Sequence, residues 1–166
     1  MRQGMVMGAM LLGGCSTIGI GEKEKAPSVE TMRFTAGPCL GICPSYSVEV
    51  TAKGSGELQP QRNTAVPGAT RFTVTPAQYK RFKSTFAPYR PLAGTTKRVN
   101  NRENCSRFAT DMPSYSIEWK PMGGKPSRLE FQSGCLDPRY TRLRGAISSV
   151  PRLLDIEAMV KPERRS

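Results

Sequence analysis

The sequence predicts an α+β fold, a mainly antiparallel sheet with two helices on one face, and three observations carry that prediction. Several short stretches alternate apolar and polar residues with the period of two that a half-buried strand requires. Two others open with a capping residue followed by proline and place later apolar residues on one helical face. Finally, Pro44-Ser45-Tyr46-Ser47-Val48-Glu49-Val50 and Pro113-Ser114-Tyr115-Ser116-Ile117-Glu118-Trp119 share five of seven residues. Each is followed by a glycine turn, a return strand and a capped helix, so the chain reads as two strand-turn-strand-helix halves whose helices pack on one side of the sheet.

Composition bounds the rest. A chain of 166 residues with 37% hydrophobic content supports one modest core,. The 16 glycines and 14 prolines call for long irregular connections rather than a helical bundle,. There is no histidine, which removes the commonest general base near neutral pH and the commonest metal ligand. That weighs against an enzyme, and no cofactor or metal is expected.

The N-terminus has the organisation of an export signal over residues 1–14: Arg2, an apolar run from Met5 to Leu12, then small residues before Cys15,. The run is too short to cross a bilayer as a helix. Leu12-Gly13-Gly14-Cys15 resembles the bacterial lipobox, which implies that Cys15 is a lipid attachment site and the mature N-terminus. Ser16 in place of an acidic residue implies, by the same resemblance, outer-membrane attachment facing the periplasm. Residues 15–28 are small or charged, with Glu22-Lys23-Glu24-Lys25 breaking any apolar face, and read as a flexible tether,. A single domain is expected over 29–161, with a disordered tail at 162–166.

Within the domain, Met32 and Phe34 alternate with polar neighbours as a first strand, and Tyr46, Val48 and Val50 as a second,. Lys53-Gly54-Ser55-Gly56 is a turn, and Leu58 marks a weaker return strand that Pro60 ends or makes an edge. Phe72 and Val74 suggest one more. Thr75-Pro76-Ala77-Gln78 has the form of a capping box with proline at the first helical position, and Tyr79, Phe82 and Phe86 give that helix its buried stripe,. Residues 92–113 read as one long irregular segment. Tyr115, Ile117 and Trp119 form a strand, Pro121 to Pro126 a turn, and Leu129 and Phe131 the return strand. Asp137-Pro138 repeats the cap-then-proline start of a helix bearing Leu143, Ile147 and Val150, and a last short helix is expected to hold Leu154, Ile156 and Val160.

With Cys15 assigned to lipid, Cys39, Cys43, Cys105 and Cys135 remain, an even number in a chain read as exported, and disulfides are the expected outcome. Three connectivities are open. The pairing Cys39–Cys43 with Cys105–Cys135 is favoured because the latter two flank one predicted hairpin, and that bridge is worth roughly 3–4 kcal/mol on a chain-entropy treatment. Gly41 supplies the permissive backbone for the tight loop, and Pro44 leads into the strand of Tyr46. Zinc binding by four thiols fits the spacing poorly, and three residues between Cys39 and Cys43 depart from the redox Cys-x-x-Cys arrangement.

Other chemistry is thin. Without histidine the serine triad is impossible, and no Ser-x-x-Lys is present,. Glu49 and Glu118 occupy matching positions and are candidates for paired-carboxylate chemistry, although exposed polar partners are the plainer reading. The net charge of +12 would suggest nucleic acid in the cytosol, but export removes that partner. Lipopolysaccharide phosphates or another anionic envelope polymer are the better candidates, with Lys97, Arg98, Arg102 and Arg107 as the densest basic patch,. An envelope protein is the other expected partner.

Read in order, Cys39-Leu40-Gly41-Ile42-Cys43-Pro44-Ser45-Tyr46 resembles an uncharacterised family of bacterial lipoprotein domains marked by Cys-x-Gly-x-Cys-Pro-x-Tyr. The resemblance extends over about residues 30–160 and includes Asp111-Met112-Pro113. It implies location and fold but no activity. The sequence therefore leads to a lipid-anchored binding or scaffolding module of the cell envelope, with a thiol–disulfide enzyme, a hydrolase or an inhibitor of an envelope enzyme as the alternatives.

Overall fold

A computed structural model describes residues 30–100 and 103–161. The segment read as an export signal, Cys15, the stretch read as a tether, the tail at 162–166 and Arg102 lie outside the described residues. One seven-stranded sheet organises the rest: β1 (Glu30–Ala36), β2 (Ser45–Thr51), β3 (Ser55–Arg62), β4 (Thr70–Thr73), β5 (Thr96–Val99), β6 (Ser114–Pro121) and β7 (Ser127–Gln132). Their spatial order is β4-β3-β2-β1-β6-β7-β5. Every neighbouring pair is antiparallel except β5 with β7. The helices are α1 (Pro76–Phe86), α2 (Thr141–Ser148), α3 (Val150–Leu153) and α4 (Glu157–Val160), and the α+β arrangement is as expected.

The centre is β1, flanked by the two look-alike strands in the same register. Phe34 lies opposite both Val48 and Ile117, and Ala36 opposite both Tyr46 and Tyr115. The sequence likeness is thus a structural pseudo-symmetry about β1. Alternation sends Met32, Phe34, Ala36, Val48, Val50, Ile117 and Trp119 into one core with Phe82, Phe86, Leu143 and Ile147,. On the other face stand Arg33, Glu49, Glu118, Lys120, Arg128 and Glu130, which are exposed or half-buried.

α1 starts as its sequence dictates. Thr75 Oγ1 accepts from Gln78 N at 3.2 Å, the Gln78 side chain accepts from Thr75 N at 2.8 Å, and Pro76 opens the helix. Its Tyr79 hydroxyl donates to the Glu30 carbonyl at 2.6 Å. The buried Glu30 carboxylate is paired with Lys83 at 3.0 Å and Arg90 at 2.7 Å, and Arg90 lies over the Trp119 ring. Pro60 sits inside β3, beyond the last residue of β3 that β4 covers, where a missing N–H is tolerated,.

Three expectations need correction. Residues 92–113 are not wholly irregular, because β5 lies within them. Only Val99 of its four residues is buried, so an edge strand of Thr-Lys-Arg-Val shows no alternation to read. Asp137 does not cap a helix with its side chain: Pro138–Tyr140 form a 3₁₀ turn ahead of α2, and the carboxylate turns elsewhere. Leu154 and Ile156 are buried but precede α4, because Asp155 at φ 56° breaks the chain between them.

Candidate functional site

The stretch Cys39–Tyr46 leaves β1, reverses, and returns as β2. Cys39 and Cys43 are bridged with Cα atoms 5.7 Å apart, and Gly41 between them has φ 133°, a conformation that side chains with a Cβ avoid,. The loop is tied down by Leu40 N–H donating to Asp111 O at 3.2 Å and Asn63 Nδ2 donating to Cys43 O at 3.3 Å. Leu40 and Ile42 nevertheless project outward, 81% and 68% exposed.

Under this loop lies a cavity of about 210 Å³. Because Tyr46 and Tyr115 both face Ala36, they stand on either side of a residue too small to fill the space between, their backbones about 10 Å apart,. Ala36 and Phe34 line it from the sheet, the two tyrosines flank them, and Ile147, Ser148, Pro151 and Val160 approach from the helices. Cys43 and Pro44 complete it. Phe34 keeps both tyrosine rings at centroid distances of 6.1 and 5.9 Å.

Among the described residues neither phenol hydroxyl has a hydrogen-bond partner. Neither is among the fully enclosed side-chain atoms that lack one, such as Ser127 Oγ. Both therefore touch open space, although Tyr46 as a whole is only 3% exposed. Burial, and then the neighbouring Tyr115, push the Tyr46 phenol well above its ordinary value, and burial raises that of Tyr115. Both stay neutral donors at any physiological pH. No lysine, arginine or carboxylate lines the cavity, so it can hold an uncharged apolar group and donate to an acceptor on it, and no side chain in its lining would act as a base toward Ser148.

The remaining candidates are dispersed. Cys105 and Cys135 are bridged, Cα atoms 5.7 Å apart, and with Asp137 they form a grouping of possible metal ligands within 4.8 Å. Its donors are already used: the sulfurs bond each other, and the carboxylate accepts from Ser106 Oγ at 2.8 Å and from the Ser106 and Arg107 N–H groups at 3.1 Å. Those backbone and side-chain donors hold Asp137 below its usual range against the opposing effect of burial.

Glu49 and Glu118 flank Arg33 on the open face, and Lys120 reaches both at 3.3 and 3.5 Å, with Arg33 at 2.7 Å from Glu49. Partial burial favours a protonated Glu49, but hydrogen bonding from Arg33 and the charge of Lys120 prevail and lower its pKa. It is thus unsuited to be a general acid. Lys97 and Arg98 point to opposite faces of β5, Arg98 is paired with Glu130 at 2.9 Å, and Arg107 lies in a separate loop. The described members of the patch drawn along the sequence are thus divided between the two faces of β5 and a loop.

Sequence reasoning named Tyr46 but not Tyr115 or Ala36 as site residues. The signal for Tyr115 was the five-residue match itself, which aligns the two tyrosines, whereas nothing in the sequence marks Ala36 as the gap between them.

No curated protein and no solved structure matches the chain. A family profile described as a domain of unknown function, DUF6438, matches residues 30–150, from the start of β1 to the start of α3. With well over half of its length so matched, the chain belongs to the DUF6438 family of domains of unknown function.

Proposed function

We propose that this chain is a lipid-anchored binding module of the cell envelope, attached through Cys15 at the outer membrane facing the periplasm, and that it binds through the cavity between Tyr46 and Tyr115. What supports the anchor is Leu12-Gly13-Gly14-Cys15. The observation that carries the binding role is the pair of neutral, unpartnered phenols across Ala36 in a cavity whose lining is otherwise apolar except for Ser148. Its ligand is an uncharged apolar group, the size of one side chain or a short acyl or ring fragment, bearing an ether or carbonyl oxygen. Exposed Leu40 and Ile42 extend the apolar contact beyond the cavity.

Two measurements test this. Fatty-acid labelling of cells is expected to mark the wild-type chain and not Cys15→Ser; equal labelling sinks the anchor. A fragment series titrated against tyrosine NMR signals is expected to shift Tyr46 and Tyr115 together with carbonyl-bearing apolar fragments. Tyr46→Phe with Tyr115→Phe should weaken that binding about tenfold, as expected for one to two lost hydrogen bonds. Fragments that bind the double variant equally well would rule out the cavity.

A further inference from the structure

The end of the sheet opposite the disulfide loop carries a second apolar feature. Met122, in the β6–β7 turn, is 72% exposed, and Leu92, in the turn before β5, is 81% exposed. The two turns abut: Gly94 N–H donates to Pro126 O at 2.9 Å, and the Lys125 side chain packs on Gly94. On the other side of β1 the β2–β3 turn brings Lys53 to the same end, since Thr31 lies opposite both Thr51 and Lys120. Lys53 and Lys125 are exposed and make no ion pair among the described residues. The acidic residue at this end, Glu30, is buried and held between two cations.

The chain preceding the described residues joins at this same end. Glu30 lies opposite Pro121, the residue before Met122. Anything that tethers the protein through residues before Glu30 holds this end nearest to its attachment.

We propose that this end is a docking face for an anionic bilayer: Met122 and Leu92 enter the headgroup–acyl boundary, and Lys53 and Lys125 meet lipid phosphates. Apolar side chains ringed by lysine with no free carboxylate are the composition that interfacial binding requires. The disulfide loop at the far end has an exposed carboxylate neighbour in Asp111, which meets the Thr110 hydroxyl and makes no ion pair among the described residues, and it lies one strand length away, turned from the lipid. The inference takes from the proposed function only its location in the envelope. A lipobox cysteine carries more than one acyl chain and anchors firmly by itself, so the role of the face is to fix which end looks outward rather than to supply the anchorage.

The test uses the chain with Cys15→Ser, so that no acyl group contributes, and vesicles of phosphatidylglycerol and phosphatidylcholine against phosphatidylcholine alone. Cosedimentation with the anionic vesicles is expected. Leu92→Ser with Met122→Ser, and separately Lys53→Gln with Lys125→Gln, should each weaken it about tenfold. Met112→Ser, an exposed apolar side chain at the opposite end, should leave it unchanged. All these side chains are exposed, and an unaltered near-UV spectrum confirms folding. Equal binding by the Leu92/Met122 variant, loss of binding in the Met112 variant, or indifference of the parent chain to anionic vesicles would overturn the proposal. So would dependence on Leu92 and Met122 only for binding to a protein partner.

Discussion

Asp137 ties two distant segments together. Its carboxylate gathers the N–H groups of Ser106 and Arg107 and the Ser106 hydroxyl, so it fixes the loop that carries Cys105. A carboxylate whose folded pKa is lowered adds stability above its unfolded value, about pH 4, and that stability is lost as pH falls through the lowered value. Asp137→Asn presents an amide where the loop offers only donors, and should lower the urea midpoint at pH 7. It should also flatten the difference between pH 7 and pH 3; an unchanged difference would assign the acid sensitivity to other carboxylates. Asp137 is also where sequence reading went astray. Asp followed by Pro is a good local signal for a helix start, but a carboxylate with three partners over thirty residues upstream or nearly so is bonded by tertiary structure that no local pattern encodes.

At the level of elements, the two bridges differ in what they hold. Cys105–Cys135 closes a loop of 30 residues, and its removal as Cys105→Ser/Cys135→Ser should cost about 3–4 kcal/mol in urea denaturation. Cys39–Cys43 spans 4 positions and constrains little of the unfolded chain, so Cys39→Ser/Cys43→Ser should cost about 2 kcal/mol or less. A larger loss from the short bridge would mean that the loop supports the core. Legibility also divides by element. β1, β2, β6, β7 and α1 were readable because each buries one face, and burial on one face writes a period into the sequence. β5 buries one side chain and writes none. The cavity was half readable: Tyr46 and the loop above it stood out by type and spacing, whereas Ile147, Ser148, Pro151 and Val160 arrive only when the helices dock.

For the molecule as a whole, Phe34 is the point where the pseudo-symmetric halves meet. It is 1% exposed, lies opposite Val48 and Ile117, and touches both tyrosine rings. Phe34→Ala should cost about 3–5 kcal/mol by thermal or urea unfolding. It should also disturb Tyr46 and Tyr115 alike in the NMR spectrum; a response confined to one tyrosine would show that the halves pack independently. On the opposite face the cost structure differs. Its ion pairs are partly solvated, and exposed pairs of this kind contribute about 0–1 kcal/mol each, so that face governs solubility more than stability.

The central position of β1 has a mechanical consequence. Tension arriving through the chain before Glu30 enters the domain at the end of its innermost strand, which is hydrogen-bonded along its length to β2 on one side and β6 on the other. A pull along that strand, resisted by a ligand held at the far end, loads both ladders in shear. Many backbone bonds must then fail together, whereas a strand peeled from an edge would release them one at a time.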